Sequence, residues 1–242
     1  MLLLGWHRLN RMYARFADRK GMDFVRQVIV SRNIQIRFME EELERIPRQG
    51  GLVFIANHPL GAMDGLVLLE KVQSRRPDVK IMGNALLDRI EPMSPYLLPI
   101  NPFDGAYRTP LASGRALQKA KEWVINGGVL IMFPAAEVSF FQFRPMGVRD
   151  NQWPKTSKKW LANCNVPVMP VDIRARNSFG FYLLGLLGTR VRTLMLPGEA
   201  VRSQRRGAMD LRFGQAIRRG GQQDAESFIH ELESKRQMLR TK

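Results

Sequence analysis

The sequence predicts an α/β fold, a mostly parallel central sheet flanked by helices, with an N-terminal amphipathic helical segment ahead of it. Three observations carry this reading. Short apolar runs, LVFIAN at 52–57, GVLIMFP at 128–134 and VPVMPVDIRA at 166–175, have the composition of strands buried on both faces. Stretches with helical spacing stand between them, and strands that alternate with helices build crossover units around a parallel sheet. The 242 residues are 45% hydrophobic, which is enough to bury one substantial core.

In chain order, residues 1–20 read as a helix. Leu2, Trp6, Leu9, Tyr13 and Phe16 recur every three or four positions with Met12 beside them, and Arg8, Arg11, Arg15 and Arg19 take the remaining surface. An aromatic stripe flanked by arginines is the pattern of a helix lying in a bilayer interface; a surface helix capping the core has the same periodicity. A second apolar-patterned segment covers 22–33, and IQIRFM at 34–39 alternates like a strand. EEELERIPRQGG follows as a short polar helix or turn ended by Pro47 and Gly50-Gly51. After the strand at 52–57, GLVLLEKVQSRR from Gly65 is helical. VKIMGN at 79–84 reads as a strand, 110–126 as an amphipathic helix, SKKWLANCN as a helix, MDLRFG as a strand and ESFIHELESKRQML as a closing surface helix.

The net charge of +16 predicts attraction to a polyanion, whether nucleic acid, an anionic bilayer or an acidic protein. Between 142 and 220 there are 15 Lys/Arg against 4 Asp/Glu. Cys164, the only cysteine, excludes a disulfide framework and a thiolate metal cluster, and fits a reducing compartment. It falls in a helix pattern and reads as a core residue. No run reaches the roughly 18 apolar residues of a spanning helix; the longest apolar stretch is FGFYLLGLLG at 179–188. No phosphate-binding glycine loop, dinucleotide fingerprint or G-x-S-x-G elbow occurs. One histidine among scattered carboxylates makes no metal set, so no metal and no bound cofactor are expected.

Chemistry concentrates at NHPLGAMDG. Of the three histidines, only His58 follows a strand, and active sites of parallel sheets gather at the carboxyl ends of strands. A neutral imidazole there can act as general base when a carboxylate holds its other nitrogen, and Asp64 is the nearest carboxylate in sequence. Pro59 and Gly61 favour a turn between the two, with Asp64 in the first turn of the next helix.

NHPLGAMDG at 57, FPAAEVS at 133 and VPVMP at 166, in this order, resemble the first, third and fourth sequence blocks of the glycerolipid (lysophospholipid) acyltransferase family. The resemblance is closest to its haemolysin-like branch, which includes ornithine-lipid O-acyltransferases, and spans about 34–220. It implies a glycerolipid-acyltransferase fold, with 1–33 as a membrane-docking helical segment and 34–242 as the acyltransferase domain. It implies His58 and Asp64 as catalytic residues that move an acyl group, without an acyl-enzyme, from acyl-carrier protein or coenzyme A as co-substrate to a lysolipid hydroxyl. Glu137 and Ser139, at the polar end of the third block, are expected to line the acceptor site. Asn57 is expected to position the loop, and amides near Gly61 or after Pro134 to face the oxyanion. Asn57, Gly61, Pro134, Glu137 and Ser139 together form the expected substrate-binding set.

The departures narrow the acceptor. Five residues separate His58 from Asp64 where the common family spacing is four, as in the haemolysin-like branch. The third block has Val138 where the family has arginine and Ala135 where it has glutamate. The second, LLPINPFDG, has no arginine at all. Those arginines are the expected grip on an acceptor phosphate. Their absence points to a lyso-aminolipid, such as lyso-ornithine lipid, over lysophosphatidic acid, unless Arg89, Arg108, Arg144 or Arg149 replaces them. Met63 and Met132 read as core residues near the blocks. The expected partners are an anionic membrane surface, acyl carrier protein (the likelier donor on charge) and the lysolipid, with no nucleic acid, at the cytoplasmic face of a bacterial inner membrane. A basic nucleic-acid-binding protein and a catalytically silent membrane-surface protein are the readings of another class.

Overall fold

The computed structural model describes residues 2–84, 87, 90–100, 110–202 and 207–240. The elements in chain order are α1 (Leu2–Arg15), α2 (Gly21–Arg32), β1 (Gln35–Arg37), α3 (Glu40–Glu44), β2 (Leu52–Ala56), α4 (Ala62–Gln73) and β3 (Val79–Asn84). A 3-10 helix over Glu91–Tyr96, β4 (Leu97–Ile100), α5 (Pro110–Ile125), β5 (Val129–Met132), β6 (Phe140–Phe143), β7 (Met146–Arg149) and α6 (Lys155–Asn163) follow. The last elements are β8 (Val168–Arg174), α7 (Phe179–Gly185), α8 (Thr189–Arg202), β9 (Ala208–Phe213) and α9 (Ala225–Leu239).

Among the described residues, seven strands form one sheet in the order β1-β9-β8-β2-β5-β3-β4, and β6 and β7 make a separate antiparallel hairpin. Every neighbour in the large sheet is parallel except β8 and β9. The expected α/β fold with a mostly parallel sheet is therefore the fold observed. β2 lies at its centre between β8 and β5, with Ile55 opposite Met132 on one side and Pro170 on the other. A proline inside a central strand lacks a ladder donor. Here Pro170 directs its polar edge away from β2, where its carbonyl accepts from Gly214 N at 2.8 Å. Gly214 must lack a side chain, since a Cβ there would lie 2.8 Å from the Pro170 ring.

Alternation along the central strands divides the interior into two layers, because successive side chains point to opposite faces. Leu52, Phe54 and Ala56 of β2 join Val129 and Ile131 of β5 and Met169, Val171 and Ile173 of β8, facing Phe24, Val25 and Val28 of α2 and Val67, Leu68 and Val72 of α4. Val53 and Ile55, with Leu130 and Met132, face Ala120 and Val124 of α5, Trp160 and Leu161 of α6, and Phe228, Ile229 and Leu232 of α9. Each such side chain contributes about 1.5–3 kcal/mol of burial free energy. Met63 and Met132 are buried in the first and second layer respectively, and Cys164 is buried at the end of α6.

α2 supplies five buried residues, Met22, Phe24, Val25, Val28 and Ile29, and is part of the same core. α1 keeps Arg8, Arg11 and Arg15 exposed while Leu9, Met12 and Tyr13 are half-buried. Met12, Tyr13 and the following Phe16 pack on the first layer, and the Tyr13 and Phe24 rings meet edge to face at 6.0 Å. The distal part of the stripe thus rests on protein. Among the described residues no helix is long and apolar enough to cross a membrane. Arg89 and Arg108, and residues 101–105 of the LLPINPFDG block, lie outside the described residues.

Candidate active site

The parallel strands β2, β5 and β8 end at one edge of the sheet; the NHPLGAMDG and FPAAEVS blocks begin there, while VPVMP leads into the start of β8. Past the end of β2, Asn57 is buried and uses both polar side-chain atoms on the last turn of β8. Its Nδ2 donates to Ile173 O and its Oδ1 accepts from Ile173 N, each at 2.7 Å. This pair works as a strut between two strands, and it fixes where the next residue starts.

The next residue is His58. Its ring stacks on Phe133, which leaves β5, with centroids 3.9 Å apart and planes inclined by 24°. The backbone of His58 is held from the other side: its N–H donates to Asp150 Oδ1 at 3.2 Å, and its carbonyl accepts from Ser139 N at 2.8 Å. The Ser139 hydroxyl donates to the same Asp150 oxygen, so it is not positioned as a nucleophile activated by His58.

The chain then turns through Pro59 and Gly61 into α4. Gly61 has φ +83°, a left-handed conformation that favours glycine, and a Cβ would lie 3.2 Å from Leu196 and 3.4 Å from Val138. The turn delivers Asp64, with no exposed surface, back toward the imidazole. His58 Nδ1 lies 3.1 Å from Asp64 Oδ2, a close contact that is not aligned as a full hydrogen bond. The same oxygen accepts from Leu60 N at 2.7 Å and Gly61 N at 3.0 Å. Apo catalytic hydrogen bonds are often misaligned and tighten when substrate binds. His58 and Asp64 thus stand at ion-pair distance, and Nε2 of His58 has no hydrogen-bond partner among the described residues.

Burial pushes the Asp64 carboxyl above its ordinary value of 3.8, and the His58 contact and the two amides oppose that rise without cancelling it. The sign for stability follows. A carboxyl whose folded value is raised favours the fold below the unfolded value, and that contribution is lost as pH rises through the folded value. Asp64→Asn, which keeps an oxygen for the two amides, is expected to unfold at a temperature equal to or above that of the parent at pH 7. The difference should shrink as pH falls toward 4. Thermal melts of both proteins across that range check this; a parent markedly more stable than the variant at pH 7 would contradict it.

The other expected site residues have defined places. Ser139 and Asn57 border a cavity beside the turn. Pro134 is buried in the turn after β5. Glu137 is ion-paired with Arg192 at 2.9 Å and accepts from Asn151 Nδ2 at 2.6 Å. Arg192 reaches it from α8, lies 3.9 Å over the Phe140 ring and donates to Gly185 O, so both members of this pair hold α8 to the third block. Of the possible oxyanion donors, Leu60 N and Gly61 N are engaged by Asp64, while Ala136 N and Ser139 N are engaged by Phe133 O and His58 O. The amides of Ala62 and Met63 at the start of α4, and those of Ala135, Glu137 and Val138 after Pro134, are not engaged among the described residues, and the first two have the positive end of the helix dipole behind them. Cys164 plays no part: its thiol donates to Leu161 O, and burial pushes its pKa up. Arg144 and Arg149 both line the cavity.

Sequence reasoning missed Phe133, Asp150, Arg192 and Asn177, which ties the turn to α7 by donating to Pro59 O at 2.7 Å. Only Phe133 carried a signal, its place at the head of the third block.

A strand-end imidazole backed by a buried carboxylate, with no serine or cysteine poised on it among the described residues, has the groups that general-base chemistry on a hydroxyl needs. The sequence family described as Acyltransferase matches residues 7–241, and the chain belongs to that family. The lyso-glycine lipid O-acyltransferase of Bacteroides thetaiotaomicron is 32% identical over 174 residues, covering 69% of this chain and 58% of that protein. The protein of the same name from Phocaeicola vulgatus is 27% identical over 170 residues, covering 69% and 57%. The chain thus spans less than three fifths of the length of these relatives. In fold it resembles the 1-acyl-sn-glycerophosphate (LPA) acyltransferase PlsC from Thermotoga maritima, with TM-score 0.61 and 19% identity over 91% of this chain and 77% of that one.

Proposed function

We propose that the chain is an O-acyltransferase that moves a fatty acyl group from an acyl thioester, acyl-carrier protein first and coenzyme A second, to the hydroxyl of a lyso-aminolipid. The observation that carries the reading is the His58–Asp64 pair at the carboxyl edge of the sheet. Nε2 of His58 takes the proton of the acceptor hydroxyl while Asp64 stabilises the imidazolium through Nδ1. The freed oxygen attacks the thioester carbonyl, and the oxyanion is met by the amides of Ala62 and Met63. The C–S bond then breaks, and the imidazolium returns its proton to the leaving thiolate.

The aminolipid acceptor is favoured by two lines. The relatives named above act, by name, on lyso-glycine lipid. The arginines that the family uses for phosphate are replaced here, Val138 standing in the third block, and Arg192 beside it is committed to Glu137. An N-acyl amino acid with a 3-hydroxyacyl chain and a free carboxylate fits these departures. Ornithine and glycine head groups are told apart by an acceptor panel: the purified protein, with acyl-carrier protein thioester, is offered lyso-glycine lipid, lyso-ornithine lipid and lysophosphatidic acid. Turnover of a lyso-aminolipid at least about tenfold above lysophosphatidic acid is expected, a difference of about 1.4 kcal/mol in barrier. The reverse preference would favour phosphatidic-acid synthesis.

Attachment to the cytoplasmic face of the membrane belongs to the same proposal. α7, the turn after it and α8 expose Phe179, Leu183, Leu187 and Leu194, apolar side chains on a chain of net charge +16. Leu183→Ser with Leu187→Ser is expected to lower sedimentation with anionic vesicles several-fold while leaving the melting temperature within about 2 °C, since surface changes seldom alter stability much. Unchanged sedimentation would exclude α7 as the contact.

A further inference from the structure

Beside the catalytic turn lies a cavity of about 880 Å³, bounded by the end of β8, the β6–β7 hairpin and the last turns of α9. Asn57, Pro59 and Ser139 form its wall toward His58. The rest is strongly cationic: Arg144 and Arg149 from the hairpin, Arg176 after β8, and Arg236 and Arg240 from α9, against Asp150 and Glu233.

The two carboxylates are already occupied. Asp150 accepts from His58 N and the Ser139 hydroxyl, and Glu233 pairs with Lys158 at 3.3 Å. Arg236 faces buried Asp172 at 3.8 Å, and Asp172 is shared with Arg174 at 3.5 Å. Among the described residues no carboxylate lies within ion-pair distance of Arg144, Arg149, Arg176 or Arg240. Three buried polar atoms of the lining residues, Arg149 Nε, Arg236 Nε and Asp150 Oδ2, have no hydrogen-bond partner. Buried polar groups are nearly always satisfied, and the two guanidinium Nε–H donors suit an anion, whereas Asp150 Oδ2, an acceptor, does not. At the rim, Phe143 and Met146 flank Arg144 at the hairpin tip and are 69% and 78% exposed.

From this geometry we infer that the cavity receives the phosphopantetheine arm of the acyl donor, its phosphate among the arginines and its amides along Gln142, Asn151 and Tyr182. The inference rests on the acyl-transfer reading above. The phosphate is matched by guanidinium groups, which bind it bidentately. The volume suits a long polar arm rather than one small carboxylate, and one wall is made by Asn57, which precedes His58, and Ser139, whose amide donates to the His58 carbonyl at 2.8 Å. The basic rim with its apolar pair complements an acidic carrier protein.

The test uses the whole chain with Arg176→Ala and Arg240→Ala combined, both exposed residues whose loss leaves the core intact. Binding of 4′-phosphopantetheine and of pantetheine, which lacks the phosphate, is followed by ligand-observed NMR, alongside steady-state kinetics. The expected result is a dissociation constant for 4′-phosphopantetheine raised about tenfold and that for pantetheine unchanged within about twofold, as loss of charge-assisted hydrogen bonds requires. KM for the acyl-carrier donor should rise by a similar factor while KM for the lysolipid stays constant. A raised lysolipid KM with an unchanged donor KM would assign the arginines to the acceptor's anionic group and overturn the inference, as would phosphate-independent binding. If the parent binds 4′-phosphopantetheine through its phosphate yet acylates no lysolipid, the acceptor reading fails and the assignment of the cavity stands.

Discussion

Replacing His58 with alanine is expected to lower kcat/KM for acyl transfer by about 10³-fold or more while the protein still folds. The size follows from the role. Nε2 is the free nitrogen of a ring held by Phe133 on its face and Asp64 at Nδ1, and removing it leaves no group at that place to take the hydroxyl proton. Fold retention follows from the neighbours: the struts of the turn, from Asn57 to Ile173 and from Asp64 to the amides of Leu60 and Gly61, do not use the imidazole. Asp64→Asn should lose rate by a comparably large factor, about 10²–10⁴, because the amide cannot stabilise an imidazolium. Circular dichroism and initial rates on the same preparations check both, and a His58→Ala protein with parental turnover would refute the mechanism.

The largest stability effect is expected far from this site, at Arg76. Its side chain is 3% exposed and gathers two loops and a carboxylate: Nη1 donates to Pro47 O, Nη2 to Gly50 O and Gly127 O, each at 2.8 Å, and Nε and Nη2 to Asp78 at 2.9 and 2.8 Å. Arg76→Ala strips donors from three backbone carbonyls, a loss of about 2–4 kcal/mol, while Asp78, 38% exposed, turns to solvent and adds little. Arg76→Lys should recover only a fraction, since one ammonium cannot address points spread around a planar guanidinium. Arg76 also holds the Asp78 carboxyl below its usual range. A depressed carboxyl favours the fold above its unfolded value and loses that contribution as pH falls through the folded one, so the alanine variant should show a shallower acid-side decline than the parent. Urea titrations at pH 7 and at about pH 3, below the ordinary carboxyl value, measure both effects; a loss under about 1 kcal/mol at pH 7 would contradict the role assigned to these hydrogen bonds.

The central strands were legible because they are buried on both faces and so read as unbroken apolar runs: β2, β5 and β8 fall within LVFIAN, GVLIMFP and VPVMPVDIRA. His58 and Asp64 were legible because local turn chemistry over six positions sets their meeting. What escaped is non-local or masked by composition. Asp150 reaches His58 across 92 residues from the end of a hairpin whose tip carries Phe143 and Met146 in solvent, against the usual pattern. α8 runs through Pro197, a residue that ends most helices, and it brings Arg192 to Glu137 across 55 residues. The antiparallel pairing of β8 with β9 depends on a return path that no periodicity encodes. The apolar α7 stretch, too short to span a membrane, leaves Phe179 and Leu187 largely in solvent on the protein surface, a placement that composition alone does not disclose.

The most direct test of acyl transfer to a lyso-aminolipid is a lipid extract. Cells lacking the gene, complemented with the parent or with His58→Ala, are extracted and their aminolipids and lysolipids compared by mass spectrometry. The account predicts that the parent restores the O-acylated aminolipid and that His58→Ala leaves its mono-acylated precursor to accumulate. Identical aminolipid profiles in the two complemented strains, or a change confined to phosphatidic acid and its products, would contradict it.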